Sequence, residues 1–310
     1  MIKPRTLLAF AVCSLTAALP CAANARLNVV ATVPDLAALA IEVGGKNVSV
    51  RAMALPTQDP HFVDARPNLV LELNRADLLL AVGLQLETGW LPVLVTSARN
   101  PKIQVGAAGY LECAQLVKLL EIPKQAVDRS MGDIHPGGNP HYLYDPRAGA
   151  AVARGIAAKM SELDPANAAA YQSNLAAFLK RLDAARTGWE KRLASARGTP
   201  ILGYHRTLVY LADWLGLVEV EFLEPKPGIP PTPSHVARVI AVGQQRKVSL
   251  LLQESYYPEA TSRIVAQRIP VPLVKVFPGT EVDRGQSYID HIEANVAQIE
   301  RAFRAGRGAK

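Results

Sequence analysis

Residues 164–196 read DPANAAAYQSNLAAFLKRLDAARTGWEKRLASA, and the organisation of the whole chain follows from them. Asp164 is a favourable N-cap residue, and Pro165 suits the first turn of a helix. Apolar residues then recur at the spacing of one helical face, which predicts a single long helix. At 1.5 Å per residue, ~30 residues would form a helix about 45 Å long, which exceeds the diameter of a small lobe. The natural use of such a helix is to connect two lobes.

Strand and helix patterns alternate on both sides of this helix, which favours mainly parallel sheets. The N-terminal half has four strand-like segments, at residues 27–33, 48–54, 78–82 and 103–105. The C-terminal half has four more, at residues 201–202, 218–222, 248–252 and 272–276. A last amphipathic helix is predicted over residues 287–304. We therefore predict an α/β fold of two lobes, residues 26–164 and 198–310, joined by a connecting helix over residues 165–197.

The N-terminus has the pattern of a secretory signal peptide. Lys3 and Arg5 precede an apolar run over residues 7–19, which is too short for a permanent membrane helix. Ala23 and Ala25 complete an Ala-x-Ala cleavage site. We expect residues 1–25 to be removed, which leaves a periplasmic chain that begins at Arg26.

Cysteine usage adds two expectations. Cys21 could suggest lipid attachment, but Leu19 and Pro20 before it are not the small residues that such a site needs. Removal of residues 1–25 leaves Cys113 alone, so no intramolecular disulfide can form. We expect Cys113 to be a buried apolar residue.

Composition argues against several classes of protein. The chain has 310 residues, of which 49% are apolar and 20% charged, which is typical of a globular protein rather than a disordered one. The formal charge is +7, but no block of Lys and Arg forms a stripe for nucleic acid. Aromatic residues make up only 6%, which disfavours a surface that stacks bases or sugars. We expect no nucleic-acid partner.

Three of the six histidines lie where loops and strand ends meet. His61 follows Pro60 after the second strand, His141 follows Pro140 ahead of a helix, and His205 ends the first strand of the second lobe. In open α/β sheets, ligands bind outside the carboxyl ends of the strands. Three neutral imidazoles would make a first-row transition-metal site, with Zn²⁺ the commonest occupant. Taken singly, each ring could instead cap a helix or hydrogen-bond within its loop.

The other three histidines have simpler interpretations. His235 follows Ser234 at the start of a helix, which favours a capping or surface role. His291 lies between Asp290 and Ile292, and we expect it on a solvated face of the last helix. His135 lies in a Gly-rich loop six residues before His141, where it could capture metal or be incidental.

Several motifs, in order, resemble the TroA-like family, the metal-binding substrate-binding proteins of zinc and manganese ABC transporters. The resemblance covers residues 27–304. The segments that carry it are Asp59-Pro60-His61-Phe62, the run Asn139-Pro140-His141-Tyr142-Leu143-Tyr144-Asp145-Pro146-Arg147, the helix start at residues 163–167 with Tyr171 and Asn174, the segment at residues 204–217, and Pro231-Thr232-Pro233-Ser234.

The resemblance implies two α/β lobes with a metal site in the cleft between them. His61 and His141 would come from the first lobe and His205 from the second. Manganese-selective members tend to have a carboxylate at the third position, so His205 favours Zn²⁺ over Mn²⁺ as the transported ligand. The implied function is a monomeric periplasmic protein, not an enzyme, that binds a divalent metal and delivers it to the membrane permease of an ABC transporter.

One departure from the family concerns the fourth ligand. The family usually supplies an Asp shortly after the last strand, but here Glu281 and Asp283 come later than expected. Glu254 ends another strand of the second lobe and could reach the cleft, either as a ligand or as a partner that orients a His ring. Water could also hold the fourth position. We predict a core of three histidines with Glu254 close by and more important than either loop acid.

Two other functions stay open from the residues alone. An exported zinc metalloenzyme could use an open site of three histidines to acidify water. Alternatively, the chain could bind another solute and use its histidines structurally. Hydrolysis or hydration activity of the zinc-loaded protein would favour the metalloenzyme. An absence of metal in the purified protein would favour binding of another solute.

Overall fold

The computed structural model describes residues 26–127, 131–132 and 134–308. The predicted signal peptide and Cys21 lie outside the described residues, whereas Cys113 is fully buried. In the part of the chain that is described, no helix is both long and apolar enough to cross a membrane.

The first lobe contains a parallel sheet of four strands in the order β2-β1-β3-β4. Its strands are β1 (Leu27–Ala31), β2 (Val48–Ala52), β3 (Leu78–Ala81) and β4 (Tyr110–Glu112). Its helices are α1 (Pro34–Gly44), α2 (Pro67–Arg75) and α3 (Leu91–Ala98). Helices α1 and α2 start with proline and α3 has Pro92 at its second position, and proline lacks the N–H that would stay unpaired in a first turn. Because the sheet is parallel, the loop after β2 and the loop after β3 leave from the same edge.

The second lobe repeats this arrangement, with a parallel sheet in the order β6-β5-β7-β8. Its strands are β5 (Pro200–Gly203), β6 (Val218–Phe222), β7 (Leu250–Glu254) and β8 (Leu273–Val276). Its helices are α6 (Val209–Leu215), α7 (Pro233–Gln245) and α8 (Glu259–Arg268). The two sheets therefore share one topology, in which the first strand lies between the second and the third.

Two long helices separate the sheets, and a third closes the chain. They are α4 (Pro146–Leu163), α5 (Ala168–Arg192) and α9 (Tyr288–Gly308). Helix α5 has 25 residues, which corresponds to about 37 Å, and short 3₁₀ turns flank it at both ends. It packs on α1 and α4 of the first lobe and on α9 beside the second sheet. The predicted fold class is thus confirmed, while the exact domain boundaries stay a prediction.

The connecting helix belongs to the main hydrophobic core. Its buried face is a stripe at helical spacing, made of Tyr171, Leu175, Phe178, Leu182 and Trp189. These side chains join a single buried cluster that also includes residues of both sheets. Each large apolar side chain buried in this way contributes roughly 1.5–3 kcal/mol. We infer that α5 restricts how far the lobes can move apart.

Two predictions about individual elements are wrong. Residues 103–105 do not form a strand, because Pro101 starts a 3₁₀ turn that the Asn100 side chain caps by accepting a hydrogen bond from the Lys102 N–H at 3.0 Å. The fourth strand lies farther on, at Tyr110–Glu112. His291 is not solvated but 2% exposed, because it lies on the face of α9 that packs on β8 and α1.

Candidate metal centre

His61 is held at the carboxyl edge of the first sheet by its own loop. The Asp59 carboxylate accepts hydrogen bonds from the His61 backbone N–H at 3.0 Å and from ring Nδ1 at 2.7 Å. The Pro60 carbonyl between them accepts a hydrogen bond from Trp90 Nε1 at 3.0 Å. Because a carboxylate can only accept, His61 Nδ1 carries the proton and Nε2 presents a lone pair.

His141 is fixed by a turn that reaches across to the second lobe. Its backbone N–H donates to Asn139 Oδ1 at 2.9 Å, while Asn139 Nδ2 donates to the carbonyl of Arg206 at 2.7 Å. Residues that follow are anchored by Asp145, which caps α4 through the N–H of Arg147. The His141 ring is buried, and Nε2 has no hydrogen-bond partner among the described residues. An orphaned buried nitrogen of this kind is costly unless something binds it.

His205 follows β5 and is paired with Glu224, a residue that the sequence interpretation missed. The distance between His205 Nδ1 and Glu224 Oε2 is 2.6 Å, and both side chains are buried. The backbone N–H of Gly228 also donates to this carboxylate at 2.9 Å. Such a carboxylate fixes the tautomer and the orientation of a ligating ring, and it makes the other nitrogen a better ligand. The signal that could have revealed Glu224 is its position just after β6, which neighbours β5.

The structure brings the three predicted rings together. The ligand nitrogens of His61, His141 and His205 all lie within 4.8 Å of one another. Their ring centroids are separated by 5.2, 5.6 and 5.8 Å. The first two residues belong to the first lobe and the third to the second lobe, so the cluster bridges the cleft.

Burial keeps the His141 ring neutral. Desolvation lowers the pKa of His141 well below its usual value, and the neighbouring histidines lower it further. Burial of Asp59 opposes its ionisation, but the two hydrogen bonds from His61 prevail and lower the pKa of Asp59. Neutral imidazole is the form that binds a metal, so His141 can bind a cation without first losing a proton.

His135 also lies beside the cluster. Its Nδ1 is 2.8 Å from the carbonyl oxygen of Leu84, and its Nε2 is 3.3 Å from Nε2 of His61. The two rings stack with centroids 5.4 Å apart. Desolvation, with a smaller contribution from His61, lowers the pKa of His135 to about 4.

Glu254 is placed at the end of β7 but outside the group of three ligands. Its side chain is 1% exposed, and neither carboxyl oxygen has a hydrogen-bond partner among the described residues. Burial raises the pKa of Glu254 to about 8, and the charges of Asp59 and Glu224 add to this effect. Ligation by Glu254 stays a prediction, and the carboxylate that orients the His205 ring is Glu224.

The loop acids lie on a surface turn. Glu281 pairs with Arg284 at 3.0 Å, and Asp283 is exposed. Between β8 and these acids, the buried hydroxyl of Thr280 donates to Asp35 Oδ1 of α1 at 2.7 Å. This bond ties the loop to the first lobe through a hydroxyl group.

The remaining two histidines have structural contacts. The backbone N–H of His235 donates to the capping hydroxyl of Thr232, and its Nε2 is 2.9 Å from the carbonyl oxygen of Phe222. Nε2 of His291 is 3.5 Å from Asp35 Oδ1, and both side chains are buried.

Solved structures with the same fold include ZnuA and metal-bound forms of the substrate-binding protein FpvC. A crystal structure of ZnuA aligns with a TM-score of 0.74 and 22% identity, over 89% of this chain and 99% of that one. The substrate-binding protein FpvC of Pseudomonas aeruginosa, solved with Ni²⁺, aligns with a TM-score of 0.75 and 22% identity, over 90% and 97% of the two chains. FpvC has also been solved with Mn²⁺. These structures share the fold of this chain.

Sequence relatives include substrate-binding lipoproteins of ABC transporters. The metal ABC transporter substrate-binding lipoprotein ScbA of Streptococcus cristatus is 25% identical over 89% of this chain and 88% of its own length. The manganese ABC transporter substrate-binding lipoproteins scaA of Streptococcus gordonii and PsaA of Streptococcus pneumoniae are 24% and 25% identical. These matches cover 96% and 88% of this chain and equal shares of the relatives' own lengths.

Residues 29–302 match the profile of the family ZnuA, described as zinc-uptake complex component A, periplasmic. The chain belongs to this family, which confirms the resemblance found in the sequence. It is a metal-binding substrate-binding protein of an ABC transporter and not an enzyme, so the alternative of an exported metalloenzyme does not apply. Its partners are a divalent metal ion and a membrane permease.

Proposed function

We propose that this protein binds Zn²⁺ in the periplasm and delivers it, as a monomer, to an ABC permease for import. The observation that carries the proposal is the cluster of three imidazoles at the lobe interface, with His205 in the third position. Relatives named as manganese proteins lie at similar identities, so similarity alone does not choose the metal. Nitrogen ligands favour Zn²⁺, whereas Mn²⁺ prefers oxygen.

The ligand set that we propose has His61, His141 and His205 at its core. Zn–N bonds of about 2.0–2.1 Å place two nitrogens of a tetrahedral site roughly 3.3–3.4 Å apart. The nitrogens of the cluster lie within 4.8 Å of one another, so a small inward movement of the rings would complete the site. Glu254 contributes a buried carboxyl nearby, and its role is tested separately below.

Release would follow from a small separation of the lobes. His61 and His141 move with the first lobe and His205 with the second, so a slight opening withdraws one of three ligands. Helix α5 is packed into the common core, so it limits the opening to small movements. Such movements suffice because a metal–ligand bond tolerates a change in length of only about 0.2 Å.

Export is part of the proposal. We place cleavage before Arg26, which yields a periplasmic chain without a lipid anchor. The intact mass of the exported protein tests this, since retention of Cys21 with a lipid would contradict it.

Competition between metals tests the choice of zinc. We expect the purified, metal-free protein to bind one Zn²⁺, and to prefer it over Mn²⁺ by at least about a hundredfold. Titration with each metal in the presence of a chelator of known affinity measures this ratio. Equal affinities, or tighter binding of Mn²⁺, would contradict the proposal.

The affinity for zinc should fall as the pH falls from 7.5 to 5, because protons compete with the metal for imidazole. The pKa of His141 lies well below its usual value, so protons compete with zinc less for this ring than for an unperturbed imidazole. We therefore expect a slope of fewer than three protons per zinc. Chelator competition at several pH values measures the slope, and an affinity independent of pH would be evidence against histidine ligation.

A further inference from the structure

His135 presents its ring nitrogen Nε2 to the cluster of three histidines. Its Nδ1 is 2.8 Å from the Leu84 carbonyl oxygen, which can only accept, so Nδ1 carries the proton. His61 Nδ1 is committed in the same way to Asp59. The two Nε2 atoms that face each other at 3.3 Å therefore both carry lone pairs. Two facing lone pairs repel each other unless a shared cation lies between them.

The separation of these nitrogens also matches coordination geometry. In a tetrahedral zinc site, neighbouring nitrogens are roughly 3.3–3.4 Å apart, which follows from bonds of about 2.0–2.1 Å. The distance of 3.3 Å from His135 to His61 has this value without any movement. The centroid of His135 is 6.5 Å from that of His141, so the ring must move inward to complete the set.

The backbone around His135 is built to hold it there. Leu84 and Gln85 have φ angles of 55° and 67°, and this left-handed turn directs the Leu84 carbonyl at the ring. Strained turns of non-glycine residues cluster at functional sites. On the other side, Gly132 packs so closely on the second lobe that a Cβ there would lie 2.3 Å from the carbonyl oxygen of Pro227. Gly132 thus lies against the second lobe while the His135 ring is held by the first.

We propose that His135 is the fourth zinc ligand, which makes a site of four imidazoles. This inference rests on the proposed function and specifies its ligand set. It assigns the fourth position to a nitrogen rather than to Glu254 or water, because His135 Nε2 lies 3.3 Å from His61 Nε2, whereas neither carboxyl oxygen of Glu254 has a hydrogen-bond partner among the described residues. A fourth neutral nitrogen would further favour Zn²⁺ over Mn²⁺.

X-ray absorption spectroscopy of the zinc-loaded wild-type protein tests the assignment without any variant. Imidazole rings give a characteristic multiple-scattering pattern, and we expect it to fit four of them. We expect the His135→Ala protein to fit three imidazoles and one oxygen, and to bind zinc 10- to 100-fold more weakly. His235→Ala, which removes a ring outside the cluster, should leave both the spectrum and the affinity unchanged.

A wild-type spectrum with three imidazoles and one oxygen would overturn the assignment, as would unchanged affinity in the His135→Ala protein. Either result would leave the three-histidine core intact. Failure of the proposed function looks different, because zinc binding would then survive the loss of His205. The melting temperature of the metal-free His135→Ala protein should equal that of wild type, which shows that the fold is intact.

Discussion

His205→Ala will weaken zinc binding by at least tenfold, a loss of about 1.4 kcal/mol. The substitution removes a ligand from the second lobe and leaves Glu224 buried without its ring, since the two groups are 2.6 Å apart. His61→Ala and His141→Ala should cause losses of the same order, because each removes one nitrogen of the cluster. Titration of the metal-free proteins against a zinc chelator measures all three. The rise in melting temperature that zinc produces in the wild type should shrink in parallel.

Two comparisons make this result specific. Glu224→Gln keeps an acceptor for the His205 ring but removes its charge, so we expect a smaller loss than in His205→Ala. His235→Ala should leave zinc binding unchanged. His291→Ala is unsuitable as a control, because His291 is 2% exposed and its loss would disturb the packing of α9. Normal zinc binding by His205→Ala would show that the ligand assignment is wrong.

Glu254→Gln will stabilise the metal-free protein at alkaline pH. Burial raises the pKa of Glu254 to about 8, compared with 4.5 for an unperturbed glutamate. Between these values the folded state keeps a proton that the unfolded state releases, so the free energy of unfolding of the wild type falls as the pH rises. The loss through this one group is on the order of a few kcal/mol by pH 8.5. Glutamine cannot ionise, so the variant should lack this decline, and urea unfolding at pH 5 and pH 8.5 measures the difference.

Bound zinc should offset this loss of stability at alkaline pH in the wild type, because a nearby cation stabilises the ionised carboxylate of Glu254. If Glu254 binds zinc directly, Glu254→Gln should weaken binding more than tenfold. If Glu254 acts only through its charge, the loss should be smaller. Glu281→Gln and Asp283→Asn are matched controls from the surface turn, and we expect little change in either. Weak zinc binding in these two variants, with normal binding in Glu254→Gln, would contradict the prediction that Glu254 lies nearer to the metal than the two loop acids.

The sequence by itself determined the fold class and the three histidines at the centre of the site. Both depend on local signals: the period of apolar residues distinguishes strands from helices, and proline beside His61 and His141 fixes the backbone before each ring. The unbroken helical pattern after Asp164 was sufficient to separate two lobes. Parallel sheets then require that the strand ends of each lobe meet at one edge, which brings the loops that follow them together.

Tertiary structure alone decided which other groups meet these rings. Glu224 contacts His205 because β6 lies beside β5, and His135 faces His61 because Leu84 turns its carbonyl toward the loop. His291 is buried because α9 presents that face to α1 and β8, although its neighbour Asp290 is exposed. The fourth strand lies at Tyr110 rather than Ile103 because Asn100 and Pro101 favour a turn. These outcomes depend on contacts between residues distant in the chain, and the period of a single segment carries no information about them.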